Sequence, residues 1–228
     1  MSMRRCTKSL FLPMCLVASG ALALSLADLS NQDVTSALKA TLEKGSVAAV
    51  AKLGVENGFL NNNKVRIQLP GMLEQARPLL TMTGRGQQLD DLVVAMNRAA
   101  EAAVPLAKPL LLDAVKSMSV TDARNILTGG DTSITHFFRE KTFDPLSVKF
   151  LPIVKKVTDR SGLSAQYNSA MAQVSKLGIG QQTTVESYVT QRALDGLYTM
   201  IGDEEKAIRQ DPIGSGSKII GKVFGTLH

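Results

Sequence analysis

Residues 183–212, TTVESYVTQRALDGLYTMIGDEEKAIRQDP, read as one long helix, and that reading sets the fold class. Thr183 and Glu186 have the spacing of a capping box, in which a hydroxyl and a carboxylate satisfy two N-terminal amides. Val185, Val189, Leu194, Leu197, Ile201 and Ile208 mark a buried side, while Gln191, Asp195, Thr199 and Gly202 form a polar stripe at i+3 and i+4 steps. Asp211-Pro212 ends the helix. Gly196 in its middle costs about 0.5–1 kcal/mol relative to alanine, so a close approach of another helix is expected there. This is expected to be the longest helix of the chain.

The same periodicity runs outward in both directions. Ser30 and Asp33 cap a stripe of Val34, Ala37, Leu38 and Leu42 that Gly45 interrupts and Gly54 ends. A short helix is expected over about 71–82, closing at Gly84. A third starts near Gln87, with Leu89, Leu92, Val93 and Met96 on one face, and Pro105 and Pro109 break or kink it. Ser119 and Asp122 start a further helix that stops at Gly129-Gly130, and Thr132 or Ser133 opens another. Asp144-Pro145 reads as a fresh start, an N-cap followed by proline at the first helical position. Helices over about 164–177 and 218–225 complete an all-α, bundle-like single domain of about eight helices.

One segment departs from this pattern. In NGFLNNNKVRIQLPGML, residues 57–73, apolar Val65, Ile67 and Leu69 alternate with Lys64, Arg66 and Gln68. We read about 57–70 as an extended strap whose apolar side lies on the helices and ties the first to the second. A lone extended segment leaves backbone donors and acceptors unpaired, so a recognition edge for strand addition is the alternative.

The N-terminus has the parts of a secretory signal over residues 1–23: basic Arg4, Arg5 and Lys8, an apolar stretch from Leu10 to Leu22, and Ala21-Leu22-Ala23 before the expected mature start at Leu24. Pro13 and Gly20 interrupt the apolar stretch, which is shorter than the ~20 residues of a membrane span. Residues 24–228 would then form the mature domain, periplasmic and without a transmembrane span. Both cysteines, Cys6 and Cys15, fall in the signal, leaving no disulfide or thiolate chemistry. Removing the three signal cations lowers the formal charge from +6 to +3. With no tryptophan and Lys155-Lys156 as the longest basic cluster, nucleic-acid binding is not expected.

Several blocks, in order and spacing, carry a family resemblance: LSLADLS, GFLNNNKVRIQLP, MNRAAEAAVPLAKPLLLDAV, DARNILTGG, THFFREKT and YVTQRALDGLYTMIGDEEKAIRQDP. Over nearly the whole mature chain the sequence resembles a bacterial helical family known as domain of unknown function four-one-nine-seven. The resemblance implies an exported helical protein of Gram-negative envelopes and supplies no catalytic residues.

The inventory of reactive groups is thin. Outside the signal the histidines are His136 and the terminal His228, and no serine elbow, phosphate loop or Glu-x-x-His pair is present. No catalytic residue, metal ligand or cofactor is assigned. His136 is expected to be a partly buried packing residue with one hydrogen bond. In GDEEKAIRQD we expect a solvated turn with Glu205–Arg209 and Asp203–Lys206 pairs. Arg98–Glu101 is expected as an i,i+3 pair on a face shared with Asn97, and Asp195 as an acceptor for a neighbouring arginine or for backbone groups. The candidate ligand- or partner-binding side chains are Asn61, Asn62, Asn63 and Arg66 on the strap, Asn97, Arg98 and Asp195. The expected function is non-catalytic binding of a small ligand, a lipid or another envelope protein in an inter-helix groove. The alternative is a carboxylate-dependent enzyme acting on a saccharide or peptidoglycan fragment.

Overall fold

The structure, a computed structural model, describes residues 26–175 and 183–227. The expected signal peptide with both cysteines, and the last residues of the helix expected over 164–177, lie outside them. The described residues form eight α-helices: α1 (Asn31–Leu53), α2 (Gly71–Met82), α3 (Gly86–Ser117), α4 (Ala123–Leu127), α5 (Ser133–Ser161), α6 (Leu163–Ser175), α7 (Val185–Gln210) and α8 (Lys218–Phe224). No strand occurs among them. The all-α expectation holds.

Four long helices close a ring around the core: α1 packs on α7, α7 on α5, α5 on α3 and α3 on α1. Phe59, Phe138 and Phe150 are fully buried inside, α8 covers α1 with Phe224, and α2 and α6 lie against α3. Ser30 caps α1 as read, its hydroxyl accepting from the Asp33 N–H at 3.0 Å. The cap of α7 is one residue later than expected. Thr184, not Thr183, accepts from the Ser187 N–H, and Glu186 takes the Ser164 hydroxyl instead of closing a capping box.

The prolines do not break the helices. α3 runs through Pro105 and Pro109, and α5 through Pro145 and Pro152, so Asp144-Pro145 is not a helix start. These two helices are also longer than α7. All four prolines face solvent. Along the opposite side of α5, Ile134, Phe138, Thr142, Leu146, Phe150, Val154 and Thr158 are buried at unbroken four-residue steps. Burying that continuous stripe outweighs the ~3 kcal/mol interior penalty of a proline, whose orphaned carbonyl lies on the wet face.

Glycine placement differs too. Gly45 does not interrupt α1: it is buried, and a Cβ there would lie 3.1 Å from Ile201 Cγ2 on α7. The close helix approach is at Gly45. At Gly196 the neighbour is the strap, for a Cβ would lie 2.7 Å from Phe59 Cε1 and 3.3 Å from Val65 Cβ. The strap alternates in burial as read, with Val65, Ile67 and Leu69 buried and Lys64, Arg66 and Gln68 exposed, but it is extended only over 66–70: residues 57–65 run through hydrogen-bonded turns instead of the extended chain expected. It joins α1 to α2 in sequence but is anchored on α3 and α7.

Candidate functional site

The strap's backbone is satisfied by side chains. Asn97, fully buried on α3, accepts from the Ile67 N–H at 2.9 Å and donates to the Ile67 carbonyl at 2.8 Å. One amide thus replaces both ladder bonds of a neighbouring strand. Four residues on along α3, Glu101 accepts from the Phe59 and Leu60 N–H groups, each at 3.0 Å. Arg98 pairs with Glu101 at 2.7 Å as expected, and also reaches Glu56 and Asn57. Asn57 holds a positive φ of 67°, a conformation that asparagine tolerates better than most residues. The other edge of the strap is interrupted as well. The Arg66 N–H turns back to the Asn62 carbonyl, and the Gln68 carbonyl accepts from the Tyr188 hydroxyl.

The candidate residues therefore scatter. Asn97 and Arg98 anchor the strap. Asn62 builds its turn, accepting from the Lys64 N–H, while Asn61 and Asn63 are exposed on either side. Asp195 accepts from Arg139 at 2.6 Å and faces Arg192 at 3.5 Å, the arginine network expected of it. Arg66 lines a cavity of about 520 Å3 together with Arg192 and Tyr188.

Two expectations are corrected. His136 is exposed at 71% of its side chain, with Nδ1 3.5 Å from Glu140, and does not pack in the core. Glu205 lies in no solvated turn: it is fully buried. It accepts from the Ile134 and Thr135 N–H groups and the Thr135 hydroxyl at the start of α5, and from Arg209 Nε at 3.0 Å. A carboxylate at a helix N-terminus, paired with an arginine, meets both the orphan amides and the dipole. Asp203 and Lys206 do not pair with each other but with Lys64 and Asp131.

A larger cleft, which sequence reasoning missed, opens between the C-terminal half of α3, the connection after it and the middle of α5. Its volume is about 740 Å3, within the ~300–1,000 Å3 typical of small-molecule sites. Buried Met118 and Leu146 and half-buried Leu110, Ala114 and Phe137 give it an apolar floor. Lys141 and Lys149, two turns apart on α5, stand exposed in its lining, and Asp113 is the one acid there. Lys141 Nζ lies 5.8 Å from the Phe137 ring centroid, and among the described residues neither lysine has a carboxylate partner.

Burial pushes the Tyr198 phenol up to about 12, partly offset by its hydrogen bond with Thr142, and burial also raises Tyr167. Asp131 and Glu140 share a shallow depression beside His136, but both are largely exposed and held by Lys206 and His136. Among the described residues no group of three or more His, Cys, Asp or Glu side chains could hold a metal ion, and no helix is long and apolar enough to cross a membrane. No curated protein and no solved structure matches the chain. The family described as "Protein of unknown function (DUF4197)" matches residues 28–225, and the chain belongs to it.

Proposed function

We propose that this is a non-catalytic binding protein of the bacterial envelope that holds a single-chain anionic amphiphile in the α3–α5 cleft. The observation that carries the proposal is the pairing of an apolar floor with two cations that lack carboxylate partners. The apolar chain lies on Leu110, Met118, Phe137 and Leu146, where covering such surface is worth about 25 cal/mol per Å2. The carboxylate or phosphate head meets Lys141 and Lys149, with the Ser117, Ser119 and Thr121 hydroxyls in reach of the same lining. The N-terminal signal pattern is what supports an envelope location, and an intact mass from a periplasmic extract beginning at Leu24 is the outcome that tests it.

Displacement of a fluorescent long-chain fatty acid tests the cleft. Wild type should bind it saturably, and Lys141→Glu/Lys149→Glu should weaken it about tenfold or more, since two attractive charges become repulsive. A long-chain alcohol of equal length should bind both proteins alike. Equal affinity of the fatty acid for the two proteins would overturn the proposal.

A further inference from the structure

The second cavity, of about 520 Å3, has a more polar lining than the cleft. It lies where the end of the strap meets the start of α2, closed by α7 and by Tyr167 of α6. Two guanidiniums from separate elements line it, Arg66 from the strap and Arg192 from α7, and no acid does. Arg66 is set outward by the strap's alternation, and among the described residues its guanidinium has no hydrogen-bond or ion-pair partner. Arg192 lies 5.3 Å from the Tyr188 ring centroid. Its nearest carboxylate, Asp195 at 3.5 Å, is bound more closely by Arg139 at 2.6 Å. The positive charge in the cavity is therefore poorly compensated.

The walls add direction. The Tyr188 hydroxyl donates to the Gln68 carbonyl at 3.0 Å and the Tyr167 hydroxyl to the Thr183 carbonyl at 2.9 Å, so both phenols are held as rigid sides. Pro70 and Gly71 put the N-terminus of α2 in the lining. Pro70 supplies no side-chain cap, and the first bond into the helix runs from the Glu74 N–H to the Pro70 carbonyl. The Gly71 and Met72 N–H groups are left outside the helical ladder, where an anion is favoured. The helix end alone would not make a site. Two arginines lining the same cavity add to it, because guanidiniums grip phosphate and carboxylate oxygens through paired donors.

We infer that this cavity is an oxyanion-binding site for a small molecule or headgroup bearing phosphate or carboxylate, distinct from the amphiphile cleft. Calorimetric titration of the mature protein with inorganic pyrophosphate and with citrate tests it, alongside sedimentation with vesicles containing phosphatidic acid. Saturable binding of pyrophosphate or citrate marks a soluble ligand, and retention on the vesicles alone marks a lipid headgroup. In either case Arg66→Ala should weaken binding about tenfold or more, Arg66→Lys should recover part of it, and the Gly71 and Met72 amide resonances should shift on binding. The Arg66 side chain is exposed and unpartnered, so its variants keep the fold, and unchanged melting verifies this. Lys141→Glu/Lys149→Glu should leave the binding intact, which separates this site from the cleft. Absence of binding to all three probes, or binding that Arg66→Ala leaves unchanged, would overturn the inference.

Discussion

Replacing Asn97 by alanine should cost about 2–5 kcal/mol of stability, far more than one exposed hydrogen bond is worth. The side chain is fully buried, and it supplies partners to both the N–H and the carbonyl of Ile67, itself 1% exposed. Alanine leaves both backbone groups buried without a partner, at about 1–3 kcal/mol each. A water entering the vacated space would recover part of this, which trims the upper end of the range. The third bond, from Asn97 Nδ2 to the Val93 carbonyl at 2.8 Å, adds little because that carbonyl keeps its helical partner. Asn97→Asp is the sharper control. It keeps an acceptor for the Ile67 N–H but presents a lone pair to the Ile67 carbonyl, and should be at least as damaging as alanine. Urea unfolding followed by helical circular dichroism measures both variants, with the midpoint moving and the slope constant. A loss below about 0.5 kcal/mol for Asn97→Ala, the level of an ordinary surface change, would refute the account of how the strap is held.

Glu205→Ala should destabilise by about 3–5 kcal/mol, because it strips a buried carboxylate from Arg209 and from the first amides of α5; a loss under about 1 kcal/mol in the same unfolding assay would place Glu205 back in a solvated turn. Pro145→Ala should raise the melting temperature, since it restores an N–H to the middle of a continuous helix; a fall would mean that a helix begins at this proline. The Tyr198 phenol is raised to about 12 from the ordinary 10. Its contribution to stability is thus full below pH 10 and is lost as the pH climbs through about 12. Tyr198→Phe should flatten that alkaline loss, and an unchanged alkaline limb would contradict the burial argument.

The strap was legible in the sequence because a period of two is distinct from helical spacing and Pro70-Gly71 ends it. Its anchors were not. Nothing local to Asn97 or Glu101 announces that the segment 30 to 42 residues earlier docks on them. The misplaced break at Asp144-Pro145 came from weighing a local rule above a long pattern. The four-residue stripe from Ile134 to Thr158 continues past both prolines of α5, which lie on the other face, and following it unbroken finds the single helix. Glu205 and Arg209 have the same i,i+4 spacing whether wet or buried, so only the arrival of the α5 N-terminus, some 70 residues earlier in the chain, decides between them. The α3–α5 cleft was invisible for a similar reason. Its floor and its lysines come from segments that periodicity assigns to separate helices, and only their packing makes them one surface.

Native mass spectrometry of the protein released gently from envelope extract tests the binding reading most directly. The account predicts a single amphiphile adduct on the wild-type chain, carrying an acidic head, that is lost or strongly reduced in Lys141→Glu/Lys149→Glu while the variant's helical spectrum and melting stay unchanged. An adduct retained at the same occupancy by that variant, or a wild-type chain that carries none and takes up no fatty acid when offered it, would contradict the claim that the α3–α5 cleft is a binding site.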